Sequence, residues 1–285
     1  IISQYFTSVN KLTYQNSLYY GLGRGTNTII SSSNALQWTG LGSSSFSAPN
    51  DLLYNGSTYI GVGTKSVLLV SVGSGTNTLA YSYNAVDYNG SNLWVAVGDG
   101  STNTLAYSSN GTQWTGLGKT IFTSAGYGIK YGASKWVAVG DGTNSFAYSN
   151  NGTQWTGLGV TRINICFDVD YNGTDLWVAT GYISNTLAYS TNGTQWTGLG
   201  NIMFNSNGRR ISYGNGLWIA TGGGTDNTIA YSTNGTQWTG LGTTIFTSYG
   251  NKAVFNTDLG FWIGSGVGTN TLAYSSNGTQ WTGLG

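Results

Sequence analysis

Six copies of Gln-Trp-Thr-Gly-Leu-Gly run through this 285-residue chain, and they constrain its fold more than any other feature. Their tryptophans are Trp38, Trp114, Trp155, Trp196, Trp238 and Trp281. The last four steps between them are 41, 41, 42 and 43 residues, and the first is 76, close to two periods. Self-similarity at roughly 40–50 residues marks a repeat protein whose units cannot bury their apolar faces alone.

One unit, residues 201–242, shows what each copy builds. Arg210-Ile-Ser-Tyr-Gly alternates polar and apolar residues, the period of a half-buried strand. Gly214-Asn-Gly is a tight turn, because these residues tolerate positive φ. Leu217-Trp-Ile-Ala-Thr is a continuous apolar run, suited to a strand covered on both faces. After a loop ending at Asp226, Asn227–Ser232 makes a third strand and Gln237–Leu241 a fourth. Nothing in the chain has helical periodicity. Four antiparallel strands per unit form the blade of a β-propeller, so the expected fold is all-β.

The same frame recurs seven times. The first-strand aromatic is Tyr14, Tyr54, Tyr88, Tyr131, Tyr171, Tyr213 and Phe255, and the second-strand aromatic is Tyr19, Tyr59, Trp94, Trp136, Trp177, Trp218 and Trp262. The third-strand asparagine is Asn27, Asn77, Asn103, Asn144, Asn185, Asn227 and Asn270. The expectation is therefore one seven-bladed propeller domain over 1–285, with blades at about 1–42, 43–85, 86–118, 119–159, 160–200, 201–242 and 243–285. The second blade lacks Gln-Trp-Thr-Gly. There, Leu69–Gly73 serves as third strand and Asn77–Tyr83 as fourth. The alternative is six blades with an insertion at 64–90. The phase of the repeat predicts closure by packing of first and last blades rather than by a shared sheet.

The turn between third and fourth strands reads Tyr-Ser-x-Asn-Gly-Thr-Gln-Trp, as in Ser108–Trp114, Ser190–Trp196 and Ser275–Trp281. It resembles the Asp-box (BNR-like repeat) of sialidase-type propellers, with Asn for Asp and one residue fewer. The Trp-rich, charge-poor array also resembles propellers of phages and large DNA viruses. The resemblance implies a propeller, and it implies that the box is a structural turn away from any active site.

Composition narrows the chemistry. Charged residues are 7%, far below the roughly 25% of ordinary globular chains, so solubility rests on Ser, Thr, Asn and Gly. A net charge of +1 gives no field to steer nucleic acid or to hold an anionic membrane. No run approaches the roughly 20 apolar residues of a membrane span. The chain starts at Ile1, as a processed or excised product would, so a missing signal segment leaves its location open, extracellular or virion-associated settings included. Cys166, the single cysteine, sits among Ile163, Ile165 and Phe167 and reads as a buried, inert thiol.

A sialidase-like site would need an arginine triad, a Tyr–Glu pair and an acidic donor. The chain has no Glu, and its arginines are Arg24, in a loop after a second strand, and Arg162, Arg209 and Arg210, in connectors between blades. Without His there is no Ser-His-Asp system and little prospect of a transition-metal site. No Asp pair stands out for glycoside hydrolysis. Asp168-Val-Asp170-Tyr-Asn172-Gly-Thr-Asp175 matches the first half of a calcium loop but lacks the acid at the twelfth position, which is Ala179. It reads as a first strand and turn with extra Asp.

The copies differ in the connectors and in the loops after strand two. In a propeller both emerge at one end of the ring, with the repeated Asn-Gly turns at the other. The candidate ligand-binding residues are therefore Arg24, Asp99, Asp141, Arg162, Tyr182, Arg209, Arg210 and Asp226 on that rim. The expected function is a non-catalytic structural, interaction or adhesion module, without cofactor and monomeric, whose partner is a protein or a neutral glycan. A lectin propeller is the alternative, and a glycoside hydrolase ranks behind both.

Overall fold

A computed structural model describes residues 8–24, 26–34, 37–41, 48–54, 59–64, 70–71 and 83–285. Every regular element in them is a β-strand, and the strands follow one another as antiparallel neighbours. In the fourth repeat unit, Ala125–Gly132, Lys135–Asp141, Phe146–Ser149 and Thr156–Gly157 form a sheet in chain order. The first, third, fifth, sixth and seventh units repeat this arrangement. Single-residue bridges, Tyr182 with Asn207 and Gly223 with Tyr249, join the fifth, sixth and seventh units edge to edge.

The second strand of each unit is the core. In Trp94–Gly98 every residue is buried, because both faces of the strand are covered by neighbouring sheets. The first- and second-strand aromatics sit directly opposite one another in the register: Tyr131 pairs with Trp136, with ring centroids 4.9 Å apart, and Tyr171 with Trp177, at 4.5 Å. Such cross-strand aromatic pairs contribute about 0.5–1.5 kcal/mol each beyond area burial. The connector residues Phe122, Ile163, Phe204 and Phe246 are completely buried, so each connector is anchored by one side chain. Phe6 and Phe46 lie outside the described residues.

Where it is present, the Gln-Trp motif staples its unit onto the one before it. Phe146 of the fourth unit stacks on Trp196 of the fifth, with centroids 4.3 Å apart. Ser149 Oγ accepts the Gly152 N–H at 2.8 Å, and Asn151 Oδ1 accepts the Thr153 and Gln154 N–H groups at 3.0 and 2.9 Å. The Trp155 indole donates to the Gly152 carbonyl at 3.0 Å. Gly152 has φ +74°, and a Cβ there would lie 2.4 Å from Leu93 of the preceding unit, so the turn needs glycine twice over.

The third-strand asparagine explains the two glycines that end the motif. Asn144 Oδ1 accepts the Gly159 N–H at 2.7 Å, and its amide donates to the Ile121 carbonyl in the connector at 2.6 Å. The side chain lies across Gly157, where a Cβ would come within 2.3 Å of Oδ1. The same clamp recurs at Asn185, Asn227 and Asn270.

The ring closes with the same staple. Trp38 and Tyr19 of the first unit pack with Ile263 and Leu272 of the last, and the Tyr14 hydroxyl donates to Asp258 at 2.5 Å. Residues 1–7, on which a shared closing sheet would depend, lie outside the described residues.

The second unit has three described strands, Ala48–Tyr54, Tyr59–Thr64 and Val70–Ser71. Val70 and Ser71 pair with Gly61 and Ile60, which places the Leu69–Gly73 run as third strand where it is described. Tyr83 corrects the sequence reading. It pairs with Gly98 and so opens the first strand of the third unit rather than ending a fourth strand of the second. Residues 72–82, and with them most of the stretch behind the six-blade alternative, lie outside the described residues.

Candidate functional site at the central channel

The first strands of all the units face one central cavity of about 300 Å³. Each carries a β-bulge at the same place, shown by a register shift four residues before its aromatic. The extra residues are Asn10, Asn50, Asn84, Tyr127, Phe167, Arg209 and Asn251. A bulge bends the strand and re-aims one side chain. Here the bulge residue changes from unit to unit, and from the third unit on its side chain contacts the neighbouring unit or the same position in it. Tyr127 meets Phe167 edge to face, with centroids 5.5 Å apart. Arg209 lies over the Tyr249 ring at 3.9 Å and donates to Asn251 Oδ1 at 2.7 Å. Asn84 donates to the Gly126 carbonyl at 2.9 Å.

Two further positions line the channel, and they hold much of the chain's sparse charge. Just after the bulge, Lys11, Asp51, Asp168 and Lys252 line the cavity, the same position being Ala85, Gly128 and Arg210 in the other units, and two residues further on Thr13, Leu53, Asp87, Lys130, Asp170, Ser212 and Val254 all line it. Ion pairs join them: Lys11 with Asp51 at 3.0 Å, Lys130 with Asp170 at 2.9 Å, and Lys252 with Asp168 at 2.9 Å. The last pair joins the seventh and fifth units past the sixth.

Each carboxylate also accepts a backbone N–H from the next unit. Asp51 takes Val86 at 3.4 Å, Asp87 takes Tyr131 at 2.6 Å, Asp168 takes Ile211 at 3.1 Å and Asp170 takes Tyr213 at 2.9 Å. First strands are the inner edges of their sheets, so these N–H groups have no strand partner. The aspartates satisfy them. Burial pushes the Asp168 carboxyl up, but Lys252, Arg210 and Lys11 outweigh it and hold it below the usual carboxylate range. Burial raises Asp87 above that range, against the opposing pull of Lys130. The neighbouring Asp170 carboxylate raises the Lys130 pKa.

The sequence-derived rim residues fall as follows. Arg24, Asp141 and Tyr182 end second strands, opposite Ser8, Ala125 and Ile165 in the register, so they do share an end with the connectors. Connector and loop are bonded there: Thr123 Oγ1 accepts the Thr143 N–H at 3.0 Å, and Asn205 donates to Thr225 Oγ1 at 2.6 Å. Asp226 and Asp99 are exposed, and Asn205 also reaches Asp226 at 3.4 Å. Arg162 is turned outward and donates to the Trp196 carbonyl at 3.1 Å. Arg209 and Arg210 require a correction. They lie inside the strand Asn207–Gly214 rather than in a connector, Arg209 as the bulge residue and Arg210 beside Asp168, donating to the Phe167 carbonyl at 3.0 Å.

The calcium-like string does not converge. Asp168 and Asp170 face the channel and pair with lysines. Asn172 Oδ1 accepts the Thr174, Asp175 and Leu176 N–H groups at the far turn, where Asp175 accepts from the Asn172 amide at 2.9 Å. Cys166 is buried and donates to the Thr180 carbonyl at 3.4 Å, and burial pushes its thiol pKa up.

Sequence reading found the loops and missed the channel. The signal was present, since counting back one residue from each first-strand aromatic yields a channel position in every unit, and counting back three yields the charged lining residues Lys11, Asp51, Asp168 and Lys252. What was lacking was the knowledge that these positions face one another.

No protein-family model matches the chain, and no curated protein sequence matches it. Solved structures share its fold at low identity. Virginiamycin B lyase from Staphylococcus aureus aligns with a TM-score of 0.75 at 10% identity over 96% of this chain and 94% of that one. YCF48 from Cyanidioschyzon merolae aligns at 0.62 and 12%, over 90% and 92%. An ancestral GH74 enzyme aligns at 0.69 and 13%, over 98% of this chain and 46% of that one. At such identities the likeness extends to the fold, and the fold is that of a β-propeller.

Proposed function

We propose that the chain is a non-catalytic binding module whose ligand face is the channel mouth and the rim around it. One observation carries the reading. The framework positions repeat from unit to unit, while the bulge residue changes from Asn84 to Tyr127, Phe167, Arg209 and Asn251 at the connector end of successive first strands. Copying the scaffold and varying one rim is how a rigid fold presents a specific surface.

The channel carboxylates support the non-catalytic part. A general acid, base or nucleophile must be able to change its proton or its bonding partner. Asp51, Asp87, Asp168 and Asp170 are instead each committed to a backbone N–H, three of them also to a lysine. With a net charge of +1, the rim suits a protein surface or a neutral polar ligand rather than nucleic acid.

Soaking crystals with a small polar fragment library tests the site. Occupancy between Tyr127, Phe167 and Arg209 is expected. Fragments found only away from these residues would overturn the location. Turnover of glycoside substrates that disappears in Asp170→Asn would overturn the non-catalytic reading.

A further inference from the structure

The outer edge of the molecule carries a second kind of repetition that folding does not demand. In five units the motif glutamine, Gln113, Gln154, Gln195, Gln237 or Gln280, is exposed, and its side-chain amide makes no hydrogen bond among the described residues. The threonine two residues later, Thr115, Thr156, Thr197, Thr239 or Thr282, is exposed as well. Other exposed positions in the same turn have drifted: the residue after the serine is Ser109, Asn150, Thr191, Thr233 or Ser276. Drift has therefore had time to act. Identity persists at glutamine and threonine although neither side chain makes a hydrogen bond among the described residues.

The cleft beside them has a definite chemistry. In the fourth unit a groove of about 280 Å³ runs along the outer edge and is lined by Tyr148, Asn151, Gln154, Trp155 and Thr156 among others. Its lining consists of aromatic, amide and hydroxyl groups, with no carboxylate or cation. The nearby Lys135 ammonium is already engaged, donating to the Asn192 carbonyl at 2.8 Å and lying over the Tyr148 ring at 5.5 Å. Tyr148 is positioned by its pairing with Thr156. The equivalent tyrosines, Tyr107, Tyr189, Tyr231 and Tyr274, pair with Thr115, Thr197, Thr239 and Thr282 in the same way.

A small number of neutral donors and acceptors beside an aromatic ring recognises a ligand that is uncharged, hydroxyl-rich and flat on one face. We infer that these outer clefts are equivalent subsites for single sugar rings of a neutral polysaccharide, arrayed around the ring so that one polymer engages several. This surface is separate from the channel mouth, and neither reading depends on the other. Several weak sites on one body raise avidity by about 10²–10⁴ over a single site when the polymer can span them.

The test is affinity electrophoresis through gels containing neutral glucan, mannan, galactan or xylan. The variants are Gln154→Ala alone and Gln113→Ala, Gln154→Ala, Gln195→Ala, Gln237→Ala and Gln280→Ala combined. All five glutamines are exposed, their side-chain amides make no hydrogen bond among the described residues, and alanine keeps the backbone N–H that each donates to its turn asparagine, so the combined variant should keep the parent's thermal unfolding. Retardation by at least one polymer is expected, weakened several-fold by the single change and by about a hundredfold or more by the combined one. Equal retardation of parent and combined variant, with Arg209→Ala abolishing it, would assign the glycan to the channel mouth and overturn the subsites. Free migration in all four gels would overturn them too.

Discussion

Replacing Asp168 by Asn should be among the most damaging conservative changes in the molecule. The side chain is 12% exposed, and that of its partner Lys252 is 9% exposed. Asp168 Oδ2 accepts from Lys252 at 2.9 Å and from the Ile211 N–H at 3.1 Å. Asparagine keeps an oxygen for Ile211 but removes the charge. Lys252, Arg210 and Lys11, all of which act on Asp168 electrostatically, are then left facing one carboxylate fewer. Removing one member of a buried pair costs about 3–5 kcal/mol, because an uncompensated charge stays behind. The pair itself need not be a large net gain, so the double variant Asp168→Asn with Lys252→Met should recover a good part of the loss. Urea unfolding followed by tryptophan fluorescence measures this as a fall in midpoint at unchanged slope. A cost below about 0.5 kcal/mol for Asp168→Asn, the scatter of ordinary surface changes, would refute the reasoning, as would a double variant that is simply the sum of the two singles. The pH dependence has a definite sign. Asp168 has a folded pKa below its unfolded one, so its contribution is complete above about pH 4 and is lost as pH falls through the folded value.

Two other changes probe the framework and the opposite sign. Asp87 has a raised folded pKa, because burial outweighs Lys130, so its ionisation costs stability as pH rises from the unfolded to the folded pKa, the cost is complete above the folded value, and acidification below it relieves the cost. Asp87→Asn, which keeps an acceptor for the Tyr131 N–H, should raise the melting temperature at pH 8, with the gain shrinking as the pH falls through the folded pKa toward the unfolded one. A gain that grows on acidification would contradict this. Asn144→Ala removes the bonds to Gly159 and Ile121 and leaves a backbone donor and acceptor without their partner. It should cost about 2–4 kcal/mol by urea unfolding, whereas Thr156→Ala on the exposed edge should change stability by less than about 0.5 kcal/mol.

The sequence by itself determined the blade. Its strands pair with neighbours only a few residues away in the chain, so the alternation of Arg210–Gly214, the apolar run Leu217–Thr221 and the turn at Gly214–Gly216 carry the sheet within one period. The Asn-Gly turn and its tryptophan were legible for the same reason, because Ser149, Asn151 and Trp155 bond within six residues of one another. The channel was not legible. Lys252 meets Asp168 across 84 positions in sequence, and Lys11 meets Asp51 across 40, so no local pattern announces either pair. In the linear chain Asp168 and Asp170 read as a broken calcium loop, and Arg209 and Arg210 as connector charge. Closing the ring turned the same first-strand positions of every unit toward one axis. There, unpaired edge N–H groups and a confined, poorly solvated space decide which charges are tolerated and what they bind.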